Sequence, residues 1–253
     1  MFGINAARRK MTLEKGIDIS YCQKGLDLGK AKSEGVKYAI IRAGISTRMD
    51  MEFTAHTDGA IKAGLPYGFY WYSRAFSTAD AKDEAAACLN SIKPYAPIYP
   101  IFYDMEENDQ IDRLDKDTRT AIITTFCDAV REAGYTAGVY INPAWLETYV
   151  DKTQIVGKYD IWLANWTNDP NDPGNFNYGQ KMLQWGPDKI CDMEINGDVC
   201  YFNYKLHTLI KCLFLLLLLP LLLLCRQQRY IQILRRCCRT QIIRHRRRND
   251  RSP

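Results

Sequence analysis

The chain has 253 residues and a formal net charge of +5, enough for one large α/β domain or two small ones. Residues 206–253 carry Lys211 and ten arginines against Asp250, a net +10, and subtracting this from +5 leaves residues 1–205 at −5. The basic total therefore belongs to a tail on an acidic domain, and net charge gives no ground for nucleic-acid binding by that domain.

Nine cysteines, an odd number without CxxC pairs or Cys/His clusters, exclude a disulfide framework or a zinc site as the organising principle. Cys22, Cys88, Cys127, Cys191 and Cys200 read as reduced thiols. The opening stretch to Ser20 lacks the apolar run of a secretory signal, and Met11 is a natural start.

Short apolar runs then recur between amphipathic stretches. GIDIS (16–20), YAIIRAG (38–44), YGFYWYS (67–73), PIFYDME (100–106), AGVYIN (137–142) and YDIWLANW (159–166) read as strands. Helices are expected over Ala79–Ile92, capped from Ser77–Thr78 and stopped by Pro94, and over Thr118–Gly134, with Asp58–Gly64 ending another. This βαβα order argues for an α/β fold with a mainly parallel sheet and helices outside it. Six or more units in under 200 residues fit a barrel of the TIM type better than an open sheet. No GxGxxG or GxxxxGK[ST] loop follows any strand, which weakens nucleotide-binding alternatives. After Trp166 comes a turn-rich loop, then β-like pieces around Lys181–Trp185 and Asp198–Tyr204, so the barrel is expected to close with irregular strands.

The most informative stretch is IFYDMEEN. In a strand, Asp104 and Glu106 share one face while Met105 takes the other. They stand at the C-terminal end of an apolar strand, where parallel barrels gather catalytic groups. Two adjacent acids repel, so one pKa is expected to rise and the other to stay low, as glycosidic cleavage requires. The same spacing equally describes acids opening a solvated loop. Asp18, an acid inside the apolar run GIDIS, is costly unless used or paired. Tyr70, Tyr72, Tyr103, Tyr140 and Trp166 lie near strand ends, as sugar platforms or as core.

GIDIS followed by Gln23, then YAIIRAG, GFYWYS, YDMEEN, AGVYIN and DIWLANW, resembles in order the glycoside hydrolase family 25 muramidases, over roughly Lys15 to Tyr204. The resemblance implies a flattened, irregular β/α barrel that cleaves the β-1,4 bond between N-acetylmuramic acid and N-acetylglucosamine, with retention. It implies Glu106 as general acid, Asp104 as its partner and Asp18 as the acid of the first strand. Tyr70, Tyr72, Tyr103, Tyr140, Asn142, Trp166, Gln184 and Asp198 are the expected substrate contacts. No metal or organic cofactor is implied. Near the end the pattern departs: Leu183 stands where a tryptophan is common, Gln184 is kept, and the acid of the family's VD step falls on Asn196 or Cys200, leaving Asp198 as the nearest substitute.

The expected organisation is a disordered leader over 1–14, the barrel over 15–204, a candidate transmembrane segment over 205–225 and a disordered basic tail over 226–253. CLFLLLLLPLLLLC (212–225) is short for a spanning helix, and the arginines after it favour a cytoplasmic C-terminus. A frame-shifted terminus reads equally well. The expected protein is a monomeric muramidase of the phage endolysin type, held in the cytoplasm until lysis and acting on peptidoglycan glycan strands; the alternatives are membrane anchoring through the tail, and a non-catalytic peptidoglycan-binding barrel.

Overall fold

The computed structural model describes residues 13–172 and 174–210. The chain divides after Tyr204 into two units. Residues 205–210 of the second are helical. Among the described residues no helix is long and apolar enough to cross a membrane. The apolar run 212–225 and the basic tail 226–253 lie outside the described residues, as does most of the expected leader.

The elements of the first unit are β1 (Glu14–Ile19), α1 (Leu28–Ser33), β2 (Tyr38–Ile45), β3 (Arg48–Met49), α2 (Phe53–Ala63), β4 (Tyr67–Tyr72), α3 (Thr78–Ile92), β5 (Ile101–Asp104), α4 (Asn108–Arg113), α5 (Lys116–Glu132), β6 (Ala137–Ile141), β7 (Asp160–Ala164), β8 (Met182–Ile190) and β9 (Met193–Cys200). Hydrogen bonding runs β1-β9-β8-β7-β6-β5-β4-β2, and the pairing of β2 with β1 closes an eight-stranded barrel, with β3 attached to β2. Neighbours from β1 through β2 and β4 to β8 are parallel, whereas β9 is antiparallel to both β8 and β1. The α/β barrel expected from the alternation is thus present, closed by an antiparallel hairpin.

Within the barrel, period-two alternation sorts the strand residues into two faces. Ile17, Ile41, Phe69, Tyr103, Val139, Leu163 and Leu183 point outward into a core shared with Ala81, Ile122, Ile123 and Phe126 of the helices. Tyr38, Ile40, Tyr70, Phe102, Trp162, Met182 and Cys200 point inward and form a second cluster with Tyr99 and Tyr204. These aromatics fill the barrel lumen and give the polar residues above them a rigid floor.

Helix boundaries follow their caps. Ser77 Oγ accepts from Asp80 N at the start of α3, and Asp115 Oδ1 accepts from Thr118 N, so α5 starts two residues before the expected Thr118. α1 and α4 were not expected: six residues each, LGKAKS and NDQIDR, they are too short to show a period. β1 begins at Glu14, two residues before the expected Gly16, because Glu14 and Lys15 extend the ladder with Cys200 and Val199 of β9; Glu14 Oε2 also accepts from Tyr99 OH at 2.6 Å. The closing hairpin is longer than expected and ends at Cys200 rather than Tyr204. Its tip is Cys191–Asp192, both left-handed at φ 53° and 65°, as a two-residue hairpin turn requires.

Gly16 marks how tightly the lumen is filled. A Cβ there would lie 2.1 Å from Cζ of Tyr38, which is stacked on Tyr99 at 4.5 Å. Gly16→Ala is therefore expected to cost about 2 kcal/mol through overpacking, read from the denaturant midpoint; an unchanged midpoint would show the floor to be slack.

Candidate active site

Above the aromatic floor, at the end of the barrel where the parallel strands β1, β2 and β4 to β7 have their C-termini, the inward positions become polar. β1 supplies Asp18, β2 Arg42, β5 Asp104, β6 Tyr140, β8 Gln184, and β9 Asn196 and Asp198. Registry brings them level: Asp18 pairs with Asn196, Asp104 with both Tyr72 and Tyr140, and Gln184 with Asp198. Glu106 follows β5 by two residues and is exposed at the rim, whereas Asp104 is buried.

Gln184 is the hub of this mouth. Its Nε2 donates to Asp18 Oδ2 at 2.7 Å. Its Oε1 accepts from Tyr140 OH at 3.0 Å and Trp166 Nε1 at 2.8 Å. Asn196 Nδ2 donates to the other Asp18 oxygen at 3.3 Å. Below them Trp162 Nε1 donates to Asp198 Oδ1 at 2.8 Å, and Asp198 shares a hydrogen bond with Asp18. Asp104 Oδ1 is buried without a hydrogen-bond partner, as is the second oxygen of Asp198, Oδ2.

Burial dominates the electrostatics. Desolvation lifts Asp18 to about 6, against the pull of its hydrogen bonds. Asp198 rises further, through burial and the neighbouring Asp18 charge. Asp104 is pushed well up by burial, then by Glu106 and Asp18, with Arg42 opposing. Glu106 is raised by desolvation and by Glu107. One expectation is corrected here: the pair does not split into a high and a low pKa, because both members are desolvated and the buried Asp104 is lifted as well. Arg42 is the cation on this face, but its Nε is already engaged by Asp50 Oδ2 at 2.6 Å.

Beside Glu106 runs a groove of about 830 Å³ lined by Tyr140, Asn142, Glu147, Asn165, Trp166 and Phe176. Trp166 is 57% exposed over it. The arrangement offers a proton donor at the rim, a buried acceptor beneath it and an aromatic wall.

The family model for glycosyl hydrolases family 25 matches residues 17–191. The chain belongs to this family. As a family 25 member it is a glycoside hydrolase of the lysozyme (muramidase) group. It is 28% identical over 168 residues to a lysozyme of Lactococcus phage mv1, covering 62% of this chain and 80% of that protein. It is 30% identical over 162 residues to an autolytic lysozyme of Clostridium acetobutylicum, covering 62% of this chain but 47% of the relative. Among solved structures, the autolysin LytC of Streptococcus pneumoniae in complex with a synthetic peptidoglycan ligand superposes with a TM-score of 0.65 at 26% identity, over 74% of this chain and 46% of that one. The chain thus spans about half the length of the clostridial and pneumococcal proteins.

In this family 25 chain the mouth brings together Asp18, Asp104, Glu106, Tyr140, Trp166, Gln184 and Asp198. Tyr70 is in register with Arg42 and buried, its ring edge-on to Trp162 at 5.9 Å and within electrostatic reach of Asp18 and Asp104. Tyr72 stands at the rim with its OH on Glu107 Oε1 at 2.5 Å, and Asn142 lines the groove while its Oδ1 accepts from Trp145 N. Tyr103 is corrected: adjacent to Asp104 in a strand, it faces the opposite way, fully buried and stacked on Phe126 at 4.0 Å, so no sugar can reach it. The departure near the end also resolves. Asn196 faces Asp18, Cys200 sits in the aromatic floor, and Asp198 between them is the acid inside the barrel. Arg42 and Glu107 were missed, although Arg42 alternates with Ile40 and Tyr38 and was legible as an inward residue.

These shifts predict an inverted stability profile. Carboxyls whose pKa is raised on folding bind protons more tightly in the folded state, so their stabilising contribution is full below about pH 4 and is lost as pH rises through about 6 for Asp18 and higher for Asp104 and Asp198. The Tm is expected to be several degrees higher at pH 5 than at pH 8, with the gap narrowed by Asp198→Asn; an equal or higher Tm at pH 8 would contradict the assignment.

Proposed function

We propose that this chain hydrolyses the β-1,4 bond between N-acetylmuramic acid and N-acetylglucosamine in bacterial peptidoglycan. The observation that carries the reading is the pairing of a rim acid, Glu106, with a buried and unpartnered Asp104 oxygen beneath it. A buried acceptor left open is costly unless something fills it, and the acetamido N–H of a bound sugar is a donor of the right kind. The groove along Trp166 supports a glycan chain lying across the mouth.

In this mechanism Glu106, its pKa raised, holds a proton and delivers it to the leaving glycosidic oxygen. Asp104 accepts from the acetamido N–H, orienting the carbonyl oxygen to attack C1 as the bond breaks. Glu106, now a carboxylate, takes the proton of the water that opens this intermediate, with retention overall. Asp18, fixed by Gln184 and Asn196, is ionised above about pH 6 and then supplies negative charge to a sugar that becomes cationic, while the still more strongly raised Asp198 stays a neutral hydrogen-bonding neighbour. The non-catalytic alternative is motivated by the altered segment at Leu183 and Asn196; against it stand Asp18, Asp104 and Glu106, all intact. The likeness to a phage lysozyme and an autolysin supports action on the cell wall, with release at lysis as the endolysin reading.

Glu106→Gln is expected to lower kcat about a thousandfold while the variant folds and still binds peptidoglycan; near-wild-type turnover, followed by clearing of a wall suspension, would refute the assignment. Asp104→Asn should also depress kcat strongly and should shift the pH profile set by Glu106, because the two carboxyls interact. An identical profile would mean that they act independently.

A further inference from the structure

Behind the mouth, on the helix side of β5, lies a second polar cluster that the mechanism above does not use. Glu84 of α3, Tyr103 of β5, Ser73 after β4 and Gln110 of α4 are all buried. Glu84 Oε2 accepts from Tyr103 OH at 2.6 Å and its Oε1 accepts from Arg74 N at 2.8 Å. Tyr103 OH also meets Ser73 Oγ at 2.8 Å. Ser73 Oγ takes Ala75 N at 3.2 Å and Gln110 Nε2 at 3.4 Å, while Ser73 N donates to Asp104 O at 2.8 Å. Gln110 Nε2 donates to Ala75 O at 2.9 Å, and its Oε1 accepts from Glu107 N at 3.2 Å.

Two chain segments are stitched together by these bonds. One is residues 73–75, leaving β4; the other is residues 104–107, leaving β5 and carrying Glu106. Arg74, whose backbone Glu84 holds, reaches with Nη1 to Glu107 Oε2 at 3.0 Å, and Tyr72 OH holds the other Glu107 oxygen. Glu84 therefore touches neither groove nor reacting atoms, yet both routes to the 105–107 backbone begin at it.

We propose that Glu84 is a positioning residue: as a buried carboxylate it locks the segment after β4 to the segment after β5 and so fixes where Glu106 stands. This rests on the assignment of Glu106 as the general acid. The donor count supports it. Arg74 N–H and Tyr103 OH both point at the carboxylate, and Ser73 Oγ is already filled by two N–H groups. A proton on Glu84 converts one acceptor into a donor, so a hydrogen bond must break or reverse.

Among the described residues, none of the groups that act most strongly on Glu84 is a cation. Asp80 and Cys88 lie on its own helix, Tyr103 comes from β5 with Cys127 of α5 behind it, α4 offers neutral Gln110, and the Arg74 guanidinium is turned to Glu107. Burial, the largest influence, pushes Glu84 up to about 7. The lock is thus closed above neutral pH and opens as pH falls through that value.

The test combines kinetics with an activity-independent readout on the full chain. Glu84→Gln, which keeps the shape but not the charge, is expected to lower kcat on peptidoglycan about tenfold with KM changed less than twofold. In wild type, the backbone amide resonances of Glu106 and Glu107 should follow the titration of the Glu84 carboxyl, observed by 13C; in Glu84→Gln that dependence should vanish. Tyr103→Phe, which keeps the ring against Phe126, should reproduce the kcat loss without adding to it in the double variant, and it decides the matter should Glu84→Gln not fold. A variant with a lowered Tm but unchanged kcat, or with Glu106 and Glu107 amides that titrate as in wild type, would overturn the proposal. Inactive wild-type protein would sink the functional assignment instead, and the amide titration would still judge the lock.

Discussion

Carboxyl groups held out of water inside a closed barrel are the constraint on which the rest of this structure depends. Asp18, Asp104 and Asp198 are all buried at one end of the lumen, with Glu106 at the rim above them and Arg42 already committed to Asp50. Isolated desolvated charges of this kind are too costly to persist, so the groups share protons and draw in neutral donors. Gln184, Asn196 and Trp162 serve this purpose. The aromatic floor of Tyr38, Phe102 and Trp162 keeps water from below. The result is a mouth poised to gain stabilisation from a partly cationic ligand, which is what a breaking glycosidic bond provides.

The same alternation that builds the barrel assigns its chemistry. A residue on an inward position near the C-terminal strand end enters the mouth; its neighbour one step away enters the helix-side core. Asp104 and Tyr103 illustrate this within one dipeptide: the first borders the groove, and the second links to Glu84 and Ser73 behind it. The proposed glycosidic chemistry and the proposed lock behind it thus draw on the two faces of one strand.

Much of this was legible in the residues. The strand positions, the parallel barrel, Asp18, Asp104, Glu106 and the hub residue Gln184 all follow from alternation and ordered motifs. Tyr103 was misplaced by attending to its nearness to the strand end rather than to its parity. α1 and α4 escaped because six residues are too few to show a period, and the length of the closing hairpin escaped because its outer half, from Pro187 to Asn196, does not alternate cleanly. The pKa pattern lay beyond sequence: spacing tells that two acids are close, but not that both are desolvated. Asp198 was legible as the nearest substitute for the missing acid, but its place beside Asp18 comes only from the β1–β9 and β8–β9 registers.

The most direct measurement is of the bond that is cut. Full-length protein would be incubated with bacterial peptidoglycan, the soluble fragments reduced with borohydride, and the acid hydrolysate analysed by mass spectrometry. The account predicts reduced muramic acid at the new ends. Reduced glucosamine in its place would contradict the bond assignment, and polymer bound without any release would contradict catalysis by Glu106 and Asp104.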